Sequence, residues 1–143
     1  MGIYHMITPP APTPLMLIDR DSFVRQAKER WPECEVVIVN RPEAPVDACI
    51  YPVFEGYKME VSHFTDNQAI VCRGALEAPG AAEVAAWARS LNPDPELILW
   101  LIDDDFTGHV VLTPGITPDE IRASWVDHAE HDPAVEYPEY FGN

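Results

Sequence analysis

Basic side chains are scarce in this chain, and scarcest toward its end: residues 94–143 hold one base, Arg122, against twelve Asp and Glu. That stretch carries −11 of the formal net charge of −15, while the first 93 residues, with twelve acids and eight bases, carry −4. With so few bases and no cluster of them, nothing is available to neutralise a run of phosphates, which argues against direct nucleic-acid binding and against adsorption to an anionic membrane. Cysteine is equally thin. Cys34, Cys49 and Cys72 are odd in number and lack C-x-x-C spacing, so neither a disulfide framework nor a thiolate zinc site is expected, and a reducing cytoplasm fits best. No long hydrophobic run exists; residues 97–102 fall far short of the ~20 a membrane helix needs. Residues 1–18 have no basic n-region and are broken by Pro9, Pro10, Pro12 and Pro14, unlike a secretory signal. A soluble cytoplasmic protein is expected. The two lysines against seven arginines read as the codon bias of a GC-rich bacterium.

At 143 residues the chain fits one domain. Its prolines mark residues 1–14 as a flexible arm, and residues 137–143 read as an acidic-aromatic tail, leaving 15–136 as the folded unit. A helix is expected after Asp21 or Ser22, with Phe23, Ala27 and Trp31 at four-residue spacing and Pro32 as its stop. Residues 34–40 form a β-rich run, and residues 48–72 a meander with turns at Glu55-Gly56 and Asp66-Asn67. Pro52 cannot donate to a ladder, so its strand belongs at an edge or a bulge. A second helix spans 79–91 with Val84, Trp87, Ala88 and Leu91 on one stripe; strands at 97–102 and 109–112 follow. The third helix has the sharpest start, Thr117 as N-cap with Pro118, Asp119 and Glu120 behind it, and Ile121, Trp125 and Ala129 as its buried stripe. The order is α-β-β-β-β-α-β-β-α, an α+β domain with a mainly antiparallel sheet of about six strands. In element order, residues 20–131 resemble the small acidic secretion-chaperone-like fold, which implies a dimeric binding protein.

Asp103-Asp104-Asp105-Phe106-Thr107 matches D-x-D-x-T after a hydrophobic strand. It resembles the first motif of haloacid-dehalogenase-like phosphotransferases, which implies a nucleophile at Asp103 and a general acid and magnesium ligand at Asp105. That family sets the motif in a parallel doubly wound sheet and needs a later Lys, whereas the thirty-six residues after Thr107 contain none. The plain alternative is a polar loop between antiparallel strands, with Gly108 free to take positive φ. His128 and His131, beside Asp127, Glu130 and Asp132, could ligate a divalent metal or simply complement a helix C-terminus. His63 lies on the apolar face of its strand as a hydrogen-bonded core histidine, and His109 opens a strand beside the Asp loop. No G-x-S-x-G elbow and no phosphate loop is present.

The expectation is a non-catalytic, acidic protein-binding module that uses no cofactor. In size, charge and aromatic content it resembles bacterial toxin-immunity proteins, which implies neutralisation of a basic toxin or nucleic-acid enzyme. Asp103, Asp104, Asp105, Asp127, Glu130 and Asp132 are the expected partner-binding residues, steering a basic protein electrostatically. A homodimer of the chaperone-like kind and a magnesium-dependent phosphotransferase are the alternatives.

Overall fold

Side chains that alternate between a covered and an open face build one eight-stranded antiparallel sheet, with helices on its covered face. The computed structural model describes residues 4–138. The elements in chain order are β1 (His5–Thr8), α1 (Arg20–Arg30), β2 (Glu35–Ile38), β3 (Val46–Tyr51), β4 (Val53–Phe54), β5 (Tyr57–Lys58), β6 (Val61–Phe64) and β7 (Ile70–Cys72). After these come α2 (Ala81–Ser90), β8 (Leu99–Asp103), β9 (Gly108–Leu112), α3 (Pro118–Ala123), β10 (Val126–Asp127) and α4 (Pro133–Glu136). The sheet runs β10-β9-β8-β1-β7-β6-β3-β2, and β4-β5 form a separate hairpin. The α+β class holds; the expected six strands fall short of the eight in the large sheet.

The arm expected over residues 1–14 is corrected. His5–Thr8 is a central strand, pairing Ile7 with Ile70 on one side and with Leu101 on the other. The prolines that follow cannot donate, so partners must donate to that stretch. Gln68 Nε2 supplies bonds to the carbonyls of Thr13 (2.6 Å) and Leu15 (2.9 Å), and the backbone N–H groups of Leu17 and Ile18 both donate to the Asn67 carbonyl. The proline-rich stretch is thus laced to the β6-β7 turn. At the other end, Tyr137 packs against His109 with ring centroids 5.3 Å apart, while the rest of the expected tail beyond Pro138 lies outside the described residues.

One row across the covered face reads Ile38, Ala48, His63, Ile70, Ile7, Leu101, Val110, and the next Val36, Ile50, Val61, Cys72, His5, Asp103. Against them pack Phe23 and Ala27 of α1 and Val84, Ala85 and Ala88 of α2, a single apolar core. Burial with no compensating charge pushes the Cys72 thiol up to about 12, so it stays an inert core thiol. His63 is the core histidine its strand position implied, with Nδ1 2.6 Å from Asp47 Oδ1 and Nε2 2.8 Å from the Ile18 carbonyl. Arg89, 1% exposed, is the unexpected core member, and its guanidinium donates to the carbonyls of Leu112, Asn92, Asp94 and Leu97.

Helix starts follow local chemistry. Asp19, two residues before the expected start, caps α1 by accepting from Ser22 N, and Thr117 and Glu120 close the capping box of α3. Both expected turns form, with φ of 50° at Glu55, 81° at Gly56 and 62° at Asn67. Pro52 ends β3 and turns the chain into the small hairpin. The third helix, however, stops at Ala123, not near His131, because Trp125 leaves the helical path to lie on the covered face of the sheet, over Gly108. A Cβ at Gly108 would stand 2.3 Å from that indole. Gly108 is therefore required for this close approach and not for positive φ.

Candidate functional site: the acidic end of the sheet

After Trp125 the chain adds β10 to the outer edge of β9, pairing Val126 with His109 and Asp127 with Gly108. His128 N then donates to the Thr107 carbonyl at 2.8 Å. Two acidic segments far apart in sequence, the β8-β9 loop and the stretch between β10 and α4, are thereby brought side by side. Of the six expected contact residues, Asp104, Asp105, Asp127, Glu130 and Asp132 are exposed there. Asp103 is not. It is 2% exposed, and its carboxylate accepts from Thr107 N at 2.7 Å and from the Thr107 hydroxyl, so it closes the loop from inside. The Asp…Thr spacing that matched a phosphotransferase motif is thus local loop chemistry on an antiparallel sheet, outside the parallel frame that resemblance implies. Asp127 accepts from Ala129 N and Asp132 caps α4 through Ala134 N, so these two also hold their own turn.

Closing the loop around Asp103 sends Phe106 into the left-handed region, at φ 52°, with 40% of its surface open. A bulky residue at positive φ is costly and persists only where its surroundings fix it. Here the fixing comes from a histidine pair that sequence reasoning did not join. His128 Nδ1 lies 2.7 Å from the Phe106 carbonyl, and since a carbonyl only accepts, that nitrogen carries the proton. His128 Nε2 is then an acceptor for His109 Nδ1–H, 2.8 Å away. The tautomer order leaves His109 Nε2 with a bare lone pair, sealed from solvent and, among the described residues, without a hydrogen-bond partner. Rings close the pair in: Trp100 lies 5.2 Å from His109, and Phe106 4.3 Å from His128. Burial first, and the neighbouring His128 second, hold the His109 pKa below its ordinary value, so the His109 ring is neutral near pH 7.

His128 and His131, weighed together as a ligand pair, have separate partners. His131, exposed, hydrogen-bonds Glu136 at 2.7 Å, and that bond, followed by the Glu136 charge, raises its pKa. Among the described residues no group of three His, Cys, Asp or Glu side chains is placed to hold a metal. No family model, curated protein or solved structure matches the chain. Arg122, the single base of residues 94–143, is held by both oxygens of Glu83 (2.7 and 2.6 Å) and by Asp119, so its charge is already taken up away from the exposed acids of the two loops. The joining of the two loops had no signal in the sequence beyond their shared charge, because it depends on β10, a two-residue strand following a helix whose spacing reads as longer.

Proposed function

We propose that this chain is a non-catalytic acidic module that binds a basic protein, in the manner of an immunity protein or inhibitor acting on a basic toxin or nucleic-acid enzyme. The observation that carries the reading is Phe106. A half-open aromatic ring, pinned in a strained loop that carries Asp104 and Asp105 and lies beside the segment carrying Asp127 and Glu130, combines an apolar anchor with charges that steer an oppositely charged partner onto it. The roles divide accordingly. Asp104, Asp105 and Glu130 act at long range, whereas Asp103 preserves the loop that presents the ring.

The test is association kinetics, at two salt concentrations, against the basic protein recovered by affinity capture. Replacing Asp104→Asn, Asp105→Asn and Glu130→Gln together slows association roughly tenfold at low salt and flattens its salt dependence, with a smaller effect on dissociation. Phe106→Ala acts chiefly on dissociation. Equal association rates and salt slopes for wild type and triple variant remove this end from the interface.

The homodimeric, chaperone-like alternative draws on a different feature. Edge strand β2 leaves Val37 and Ile38 47% and 42% exposed beside an unpaired backbone edge, a surface suited to pairing with another strand. Mass in solution separates the two: twice the chain mass at micromolar concentration favours the dimer.

A further inference from the structure

On the helix-covered side of the same sheet end, a cleft of about 360 Å³ opens between β1, the β7-α2 connection and the α3-β10 turn. Its walls are His5, Leu76 and Trp125, with Glu77 and Arg122 at the rim. The size lies within the range of small-molecule sites, about 300 to 1,000 Å³. His5 is 2% exposed, and its Nδ1 sits 2.7 Å from the Gly74 carbonyl, which fixes the proton on Nδ1. Nε2 is consequently a lone-pair acceptor. Among the described residues it has no hydrogen-bond partner, and unlike His109 Nε2 it is not among the buried atoms sealed from solvent, so it is the ring atom left to meet whatever enters. A buried acceptor in a largely apolar wall calls for a donor on the occupant.

We propose that this cleft binds a planar, ring-sized molecule that is not an anion and carries an N–H or O–H, which donates to His5 Nε2 while its ring packs against Leu76 and Trp125. Flatness follows from the walls: the His5 and Trp125 rings meet nearly edge to face, 5.9 Å apart and 73° between planes, and such a corner favours another ring. The rim turns away an anion: Glu77, which forms no ion pair among the described residues, repels one, and the Arg122 guanidinium that could attract one is already held by Glu83 and Asp119. The site is independent of the protein partner proposed above.

The test uses the full chain and two isosteric probes, indole and 1-benzofuran, the second lacking only the N–H. This comparison leaves His5 and its bond to Gly74 untouched, which a His5 substitution would not. In ¹H–¹⁵N titrations indole shifts the Trp125 side-chain N–H and the Leu76 and Glu77 amides, and binds about tenfold tighter than 1-benzofuran, the effect of one hydrogen bond. Indole-3-acetate, an anion, binds more weakly than indole. Leu76→Trp, which fills the cleft from its half-buried wall, abolishes indole binding while the protein keeps its amide dispersion. Equal affinity for indole and 1-benzofuran, shifts located elsewhere, full binding by Leu76→Trp, or no binding at millimolar indole would each overturn the proposal.

Discussion

Replacing Arg89 by methionine tests how the connection between α2 and β8 is held. The guanidinium sits under this connection and donates from Nε to Leu112 O (3.0 Å), from Nη1 to Asn92 O (2.5 Å), and from Nη2 to Asp94 O (3.0 Å) and Leu97 O (3.2 Å). Methionine retains much of the apolar stem and removes every donor. Two of the four acceptors, Leu112 O and Leu97 O, are in buried bonds and would be left bare, at about 1 to 3 kcal/mol each; the other two lie near enough to the surface to recover water. Against that loss stands relief from holding a cation out of water, the burial that lowers the Arg89 pKa. The net expectation is a destabilisation of roughly 2 to 4 kcal/mol, a large share of the ~5 to 15 kcal/mol typical of a domain. Urea denaturation at pH 7 reads it as a midpoint lowered by about 1 to 2 M at an unchanged slope. Arg89→Lys should recover little, since one ammonium cannot reach four carbonyls spread around a planar fork. An Arg89→Met variant whose stability stays within about half a kcal/mol of wild type, by that same measurement, would refute the assignment of these four bonds as the clamp.

Two further outcomes follow from buried side chains. Ile7→Ala, at a side chain with no exposed surface in the middle of the sheet, should cost about 2 to 5 kcal/mol, whereas a loose arm would give no change in the melting temperature. His109 is held below the ordinary histidine pKa of 6.5 in the folded state, so the unfolded chain takes up its proton first on acidification. Its stabilising contribution is complete above about pH 6.5 and is lost as pH falls from there through the lowered folded value; His109→Phe should flatten that part of a melting-temperature profile measured between about pH 7.5 and 5. Of the charged groups that face it, His128 and His131 act in the same direction and Glu136 opposes them. An unaltered profile in the His109→Phe variant would place the acid sensitivity elsewhere.

How much of this was legible depended on how far each signal reached along the chain. The capping box at Thr117 and Glu120, the turns at Glu55-Gly56 and Asp66-Asn67, and the stripe Val84, Trp87, Ala88 on α2 are set by neighbours within four residues, and each is where the sequence places it. The strand His5–Thr8 is different. Four residues before a proline run carry no period long enough to read, and their pairing is supplied by β7 and β8, more than sixty residues away. Helix three was overextended for the opposite reason: Ile121, Trp125 and Ala129 have helical spacing, but the flat backbone at Gly108 offers the Trp125 indole a better seat. At the candidate site the exposed acids were legible from composition. Asp103 was misjudged because a run of three like residues hides the one whose carboxylate faces inward, and the His109-His128 relay depends on a two-residue strand that no local pattern announces.

The position of β1 also sets the order in which this molecule can be made. In the sheet β7 and β8 never touch each other; each pairs with β1, and His5 stands opposite both Cys72 and Asp103. Although β1 precedes every other strand of the described residues, it is the last to be placed, since one of its two partners is not synthesised until residue 103. Until then the nascent chain can assemble β2, β3, β6 and β7 but not the β8-β9-β10 half, and each half presents an unpaired edge where β1 belongs. Such long-range closure slows folding, and the two open edges are templates for pairing with other chains during the delay. Strand β1 thus works as a keystone whose insertion couples the two halves into one cooperative unit. A fusion that holds residues 5–8 away from that slot would leave two half-sheets searching for partners in trans.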